Sequence, residues 1–496
     1  MTTITRRSLL KAGATGLTAA TAGMGLAQTG GARPPNILFV LSDDHSAPYL
    51  GIYGSSWLRT PNLDKFGREG MVFERAFTAA PQCVPSRTAL MTGRSPVAAR
   101  MGRFSAPLPV DVISAPEVVR TKGYFTGVCG RYFHLDGMAN PTPLTRQLYD
   151  KYNLQTWKKR VDFLDVSGQV NTLRLFGEFL AKAPADRPWF FWMNYNDPHH
   201  PWGASVRTID PASVKVPGHL PDLPGIREDL ARYGSEIEHA DQDFGLVMDA
   251  LKKSGHEANT LVLFMGDNGM AFPHGKGSLY DPGLNVPLMA RWPGRIKPGV
   301  TRTLISGEDV AATFMDASGA AIPAGVTGRS FLPLLTGGRY QPREYIYAAR
   351  LHHGNGPFTP QTKASTFDLS RCVRSGKYKL IYNLTPQMEY QPVDSAQDPG
   401  WQQMLAAHAA GTLKPEHDRM YFTRPRPTLE LYDLDVDPGE MNNLAGREEM
   451  KDVQQTLMAA LQEKIVVDSD FVPPVLQEAI APQRQQQPQP GRQKKK

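Results

Sequence analysis

Four residues with hard oxygen donors stand in two short clusters of the 496-residue chain, Asp43-Asp44 and Asp267-Asn268. Three carboxylates gathered without a cation would repel one another strongly. An oxygen-only donor set suits Ca2+ or Mg2+ rather than zinc. Between the clusters lies Cys83, in Ala80-Pro-Gln-Cys-Val-Pro-Ser-Arg-Thr-Ala-Leu-Met-Thr-Gly-Arg94. Pro85 suits a first helical turn, which would set Cys83 near a helix N-terminus, where free N–H groups and the helix dipole favour anions. Arg87, four residues on, would share its face. Taken singly, each motif has an ordinary reading: a small buried thiol, or loop and turn sequences. Together they make a site only if the fold sets them side by side.

The elements that would do so are legible. Residues 36–41 (Asn-Ile-Leu-Phe-Val-Leu) form a continuous apolar run, as in a strand buried on both faces, and lead into Ser42-Asp43-Asp44-His45. Residues 188–193 lead likewise into Asn196-Asp197-Pro198-His199, and 260–265 into Gly266-Asp267-Asn268-Gly269. Helical spacing separates these runs at 61–70, 171–182 and 226–253. Strands alternating with helices imply an α/β fold with a large, mostly parallel sheet sandwiched by helices, whose ligands bind beyond the carboxyl ends of the strands. After about residue 350 short strands such as 379–382 and 431–434 and a last helix from 447 to about 465 suggest a smaller C-terminal α+β subdomain. The expected division is thus 33–350 and 351–470. The Pro- and polar-rich segments 134–165 and 384–428 read as long loops of the kind that line substrate pockets.

Both ends of the chain differ from its middle. Thr5-Arg6-Arg7-Ser8-Leu9-Leu10-Lys11, an Ala/Gly/Thr-rich stretch and Gly25-Leu26-Ala27 make residues 1–27 a twin-arginine export signal by pattern, which implies passage through the twin-arginine machinery to the periplasm or beyond. Residues 483–496 are a Gln/Pro/Lys-rich tail of low complexity, expected to be solvated and disordered. The formal charge of +7 lives at these ends: three basic residues of the signal and five of the tail leave −1 for residues 28–482. That removes the main support for nucleic-acid binding, and 41% hydrophobic content is too polar for a multi-span membrane protein; no stable membrane association is expected. Three cysteines, Cys83, Cys129 and Cys372, are too few and too odd in number for a disulfide framework.

Cys83-Val84-Pro85-Ser86-Arg87 followed by Thr92-Gly93-Arg94, after Thr60-Pro-Asn-Leu-Asp64 and an Asp-Asp strand end, resembles the signature of the formylglycine-dependent sulfatases. The resemblance spans about residues 33–470 and implies an alkaline-phosphatase-like fold. It implies that a formylglycine-generating enzyme oxidises Cys83 to an aldehyde, and that Asp43, Asp44, Asp267 and Asn268 bind Ca2+ (Mg2+ being the lesser candidate), with the modified Cys83 completing the site. Arg87 joins the catalytic set. His199, in Asp197-Pro-His-His-Pro201, and Lys276, in His274-Gly-Lys276, match the family's sulfate-contacting histidine and lysine. Many members carry Gly-Lys-x-His where this chain has Gly130-Arg131-Tyr132-Phe133-His134. Arg131 keeps the positive charge but does not readily lend a proton, so it falls to the sulfate cradle and His134 to the role of base. The implied chemistry is attack on sulfur by one hydroxyl of the hydrated aldehyde, protonation of the leaving atom by His199 or Lys276, and expulsion of sulfate when the second hydroxyl loses its proton.

Within the family, the segment Gly269 to Gly283, Asp197-Pro-His199 and Tyr382-Asn-Leu384 look most like the heparan N-sulfatase (sulfamidase) branch. That implies a sulfated small molecule or saccharide as substrate, with His200, His352 and His353 where sugar-binding groups are expected. Departures fall at those positions: His200 stands where an arginine often follows Pro-His, and His352-His353 precedes Gly354-Asn355 rather than an acid. Two other readings stand beside this one: a phosphonate or phosphate ester hydrolase on the same scaffold, and a non-catalytic polyanion-binding protein, which would keep Cys83 unmodified.

Overall fold

A computed structural model describes residues 33–104, 106–138, 140–165, 171–203, 209–354, 356 and 358–473. The expected export signal and the Gln/Lys tail lie outside the described residues. From Pro34 onward they pack as one unit.

Its centre is β1 (Asn36–Ser42), every residue of which is buried. The strand pairs in parallel with β6 (Trp189–Asn194) on one side and β7 (Thr260–Gly266) on the other. The remaining strands are β2 (Met71–Phe73), β3 (Ala76–Phe77), β4 (Phe125–Cys129), β5 (Phe163–Leu164), β8 (Leu288–Arg291), β9 (Gly299–Thr301) and β10 (Ile305–Ser306). Eight of these ten form one sheet in the order β5-β4-β6-β1-β7-β8-β2-β9, with β3 and β10 paired separately. The sheet is parallel from β5 to β7; β8 runs antiparallel to both β7 and β2.

The unbroken apolar run of β1 has a direct cause. Leu38 and Val40 face one core with the helices Pro61–Arg68, Thr172–Lys182 and Pro224–Lys253, while Ile37, Phe39 and Leu41 face a second with Cys83–Thr92, Ala115–Arg120 and Glu308–Ala317. With helices on both faces, alternation would leave polar groups in a core. A second sheet of four antiparallel strands follows: β11 (Ile346–His352), β12 (Phe367–Arg374), β13 (Tyr378–Asn383) and β14 (Leu429–Asp433). The helix Lys451–Val467 covers it through Leu457, Met458, Leu461 and Ile465.

The α/β expectation and the helices around 61–70, 171–182, 226–253 and 447–465 match the structure to within a few residues. The two segments read as loops do not. They contain the helices Pro143–Tyr152, Trp157–Arg160, Pro399–Ala409 and Pro415–Phe422. In three of the four a proline opens the first turn, where its missing N–H costs nothing. Proline density there marks helix starts rather than irregular chain.

Candidate active site

The carboxyl ends of β1, β6 and β7 lie side by side and are stitched beyond the sheet: Asp267 N–H donates to the Ser42 carbonyl at 2.9 Å and Tyr195 N–H to the Leu41 carbonyl at 2.8 Å. The polar residues that follow each strand therefore converge. Asp44 adopts left-handed backbone, φ 62°, a conformation that for a non-glycine residue marks a constrained turn. Its own N–H is taken by Asp267 Oδ1 at 3.0 Å.

Opposite these strand ends, the helix Cys83–Thr92 begins at Cys83, with Gln82 extended before it and Pro85 in the first turn; all ten residues are buried. Cys83 Sγ is 3.4 Å from Asp43 Oδ1 and 3.9 Å from Asp44 Oδ1. One turn on, Arg87 spreads its guanidinium across three partners. Nη2 lies 3.1 Å from Asp43 Oδ2 and 2.9 Å from Asp267 Oδ2, and Nη1 donates to Asn194 Oδ1 at 2.6 Å. The face shared by Cys83 and Arg87 thus looks onto the ends of all three central strands.

Arg131 and His134 follow β4. Gly130 and Arg131 are both left-handed, φ 64° and 45°, turning the chain sharply out of the sheet. A Cβ at Gly130 would stand 2.3 Å from the Asn194 carbonyl oxygen, so glycine is required there. Arg131 Nε then reaches Asp43 Oδ2 at 3.0 Å while its Nη2 donates to Asn196 Oδ1. His134 sits in the following 3-10 turn, buried, with no partner for Nδ1 among the described residues. Lys276 is buried too: its ammonium lies 2.8 Å from Asp44 Oδ1 and 2.7 Å from Asp394 Oδ2. His199 Nε2 is 3.8 Å from Asp44 Oδ2, with its side chain 22% exposed.

Electrostatics follow from burial and from the charges packed here. Burial and the neighbouring Asp43 push the Cys83 thiol well above its usual range, so the unmodified side chain is a protonated thiol and a poor nucleophile. Burial also pushes Asp44 up to about 6, with Lys276 opposing, and Asp267 up to about 7, with Asp43 adding repulsion. Asp43 goes the other way: burial raises it, but Arg131 and Arg87 together outweigh that and hold it well below the carboxylate range. Burial, with Arg87 and Arg131, drives His134 well down; burial, with Lys276, drives His199 down to about 3.

A divalent cation fits these residues. Ligand atoms of Asp43, Asp44, Cys83 and His199 lie within 4.8 Å of one another. Asn268 donates its amide to Asp44 Oδ1 at 2.8 Å, and its buried Oδ1 has no hydrogen-bond partner among the described residues. An unpaired buried carbonyl oxygen beside carboxylates raised by burial and mutual repulsion is what a bound cation would relieve. Asp267, expected as a ligand, accepts at Oδ1 from the N–H groups of Asp44 and Asn268 and at Oδ2 from Arg87, much as both oxygens of Asp43 and of Asp44 have neighbours of their own.

The three sugar-side histidines separate. His353 Nε2 faces Asp394 Oδ1 at 3.5 Å, and its Nδ1 lies 3.1 Å from Nε2 of Gln82, the residue before Cys83. His200 is paired with Asp398 at 2.9 Å. His352 points elsewhere, toward the Gly356 carbonyl at 3.3 Å. Sequence reasoning missed Gln82, Asn194, Asn196, Asp394 and Asp398. Asn194 and Asn196 carried the same strand-end signal as Asp267; the two acids lie inside the segment 384–428, which carried only a general signal of pocket lining.

Fold and site together have the form of a hydrolase: a helix-sandwiched sheet whose strand ends gather carboxylates, able to hold a cation, around a cysteine at a helix start. Residues 35–320 match the sulfatase family model, and residues 272–420 match the model described as N-sulphoglucosamine sulphohydrolase, C-terminal. The chain belongs to the sulfatase family, on the side of its N-sulphoglucosamine sulphohydrolase-like branch, and is a sulfuric ester hydrolase. It is 28% identical over 456 residues to human N-sulphoglucosamine sulphohydrolase, covering 84% of this chain and 86% of that protein. It is equally 28% identical to human arylsulfatase A over 475 residues, with 84% of each covered. An ulvan-active sulfatase of Formosa agariphila is 28% identical over 453 residues, with 84% of this chain and 72% of that one covered. Solved structures share the alkaline-phosphatase-like fold. One described as a complex with its substrate D-glucosamine-2-N,6-O-disulfate has a TM-score of 0.66 at 18% identity, covering 89% of this chain and all of the other. A phosphonate monoester hydrolase from Silicibacter pomeroyi has a TM-score of 0.64 at 21% identity, covering 88% and 96%.

Proposed function

We propose that the protein hydrolyses a sulfate ester or sulfamate on a sulfated saccharide, with Cys83 converted to formylglycine and Ca2+ bound by Asp43, Asp44, Asp267 and Asn268. The observation that carries this reading is the position of Cys83. It stands at a helix start, 3.4 and 3.9 Å from two carboxylates, and burial, with Asp43 adding to it, keeps its thiol protonated. Although Arg87 and Lys276 are near, burial and Asp43 outweigh them and the thiol stays protonated; in this place an oxygen ligand beside the carboxylates suits a cation better than a thiol does. The hydrated aldehyde supplies an oxygen nucleophile and a second hydroxyl through which sulfate can leave, and Ca2+ supplies positive charge to the attacking oxygen and to the sulfate.

The chain's own residues do the rest. Arg87 fixes Asp43 and Asp267 in position, and Arg131 and Lys276 bring fixed positive charge to where sulfate oxygens sit. Burial, with Arg87 and Arg131, keeps His134 neutral, and its Nδ1, unpartnered among the described residues, is available to accept a proton. Of the two candidate donors, His199 is the more exposed, 22% against 1% for the Lys276 side chain, but burial holds it neutral, whereas Asp394 and Asp44 outweigh burial and keep Lys276 protonated, so Lys276 is the one that carries a proton to give. The names of the relatives, N-sulphoglucosamine sulphohydrolase and ulvan-active sulfatase, support a saccharide substrate. The Arg6-Arg7 signal supports export of the folded enzyme to the periplasm or beyond.

Peptide mass spectrometry of Cys83 in active protein tests the nucleophile: an aldehyde or its hydrate is expected, and an unmodified thiol in fully active enzyme excludes it. Sulfate release from defined N- and O-sulfated saccharides, run beside phosphate and phosphonate esters, tests the substrate class. Preferential turnover of a phosphorus ester would replace this reading. Chelation is expected to abolish activity, and added Ca2+ to restore it.

A further inference from the structure

Lys276 reaches the site from the loop after β7, and its ammonium has two carboxylate neighbours of different standing. Asp44, at 2.8 and 2.9 Å, belongs to the proposed cation site. Asp394, at 2.7 Å, does not; it comes from the C-terminal half of the chain, 118 residues further on. Once Asp44 is engaged by a cation, Asp394 is the partner left to hold Lys276.

Asp394 also has a second duty. Its other oxygen, Oδ1, faces His353 Nε2 at 3.5 Å. Gln82 Nε2 donates to the His352 carbonyl at 3.0 Å and lies 3.1 Å from His353 Nδ1. An amide nitrogen can only donate, so Nδ1 accepts and the His353 proton sits on Nε2, toward Asp394. Phe104 packs edge-on against His353 with ring centroids 4.4 Å apart, which fixes the ring plane. The Lys276 side chain is 1% exposed and that of Asp394 23% exposed, so the carboxylate stands between a buried cation and the open side of the site.

We infer that Asp394 is a positioning residue: it clamps the Lys276 ammonium with one oxygen and the His353 imidazole with the other, and so couples the sulfate-binding charge to the sugar-facing rim. The inference rests on the sulfatase reading above. It adds that the C-terminal part supplies a working component of the catalytic site as well as cover for the sheet. Partners one step behind a catalytic group, when removed, cost about 10- to 100-fold in activity.

The test is a double-mutant cycle on full-length enzyme, read as kcat and KM on the best sulfated substrate and as the inhibition constant of inorganic sulfate. D394N is expected to lower kcat/KM by about 10- to 100-fold and to weaken inhibition by sulfate, while leaving the melting midpoint close to that of the wild type. In the K276A background the same change should add little, because the group it positions is gone. Should D394N fold poorly, D394A assayed with added formate gives a second measurement, and recovery of activity by formate in the variant alone is expected. Near-wild-type kinetics of D394N, or losses that simply multiply in D394N/K276A together with no formate rescue, overturn the inference. Absence of sulfatase activity in the wild type overturns the underlying reading instead, so the two failures are distinguishable.

Discussion

The floor and the rim of the site are built in opposite ways. The floor consists of Asp43, Asp44, Asp267, Asn268, Cys83 and Arg87, all essentially without exposed surface, delivered by the ends of adjacent strands and the start of one helix. The rim consists of His199, His200, His353, Asp394 and Asp398, partly open to solvent and delivered by loops far apart in sequence. Charges on the floor are multiply paired and cannot move singly. Those on the rim are held mostly one to one. Chemistry should therefore be brittle at the floor, while selectivity should be adjustable at the rim.

The sharpest way to break that contrast is Cys83→Ala. Turnover is expected to vanish while the fold survives, because only one buried sulfur is lost; far-UV circular dichroism and a melting curve beside the activity assay would show it, and full activity would sink the mechanism. Arg87→Ala attacks the floor's scaffold. It strands Asp43 and Asp267 without their shared cation, and removing one partner from a buried ion pair costs about 3–5 kcal/mol, so denaturant unfolding should show a large fall in stability alongside lost activity.

A third prediction concerns what lies under the rim. Asp229, on the long helix Pro224–Lys253, accepts from the Gly400 N–H at 2.9 Å, and burial, with Asp398 adding repulsion, pushes its carboxyl up to about 7. The folded protein therefore holds this proton more tightly than the unfolded chain does. That contribution is complete below pH 4 and is lost as pH rises through about 7. Asp229→Asn keeps an acceptor for Gly400 and removes the titration, so its stability advantage over the wild type should grow between pH 4 and pH 7, by up to about 4 kcal/mol. A constant difference across that range would show that Asp229 does not titrate there.

Smallest should be the effects at the outer histidines. His200→Ala breaks the pair with Asp398 and is expected to raise KM for a saccharide about 10-fold, in line with loss of one partly buried charged contact, while sparing a small aryl sulfate. His352→Ala, which loses only a 3.3 Å contact to the Gly356 carbonyl, should stay within about 2-fold of wild type on both. Equal effects of the two changes would erase the distinction drawn between these histidines.

The same contrast explains what was legible in the sequence. A strand buried on both faces must be apolar throughout, so the polar residue that ends it stands out, and Asp43, Asp44, Asp267 and Asn268 could be read with their positions. Cys83 and Arg87 share a helix, whose periodicity fixes their common face. Nothing comparable announces Asp394 or Asp398. Their roles depend on how a segment 118 residues beyond Lys276 folds back over the sheet, and its prolines, which open helices, read locally as loop. Likewise, adjacent His352 and His353 are equivalent by composition, and only the end of β11 at His352 sends them in different directions.

The left-handed backbone at Asp44 has a consequence for descent. Glycine and asparagine occupy that conformation most readily, so the turn itself filters which residues can replace the carboxylate without harm to the fold. Of the two, only Asn also keeps an acceptor for the Asn268 amide and the Lys276 ammonium, so a lineage that abandoned catalysis could drift there with least harm to its shape, whereas a branched replacement would cost it the turn as well. Silent relatives of this enzyme should therefore be recognisable by Asn where Asp44 stands.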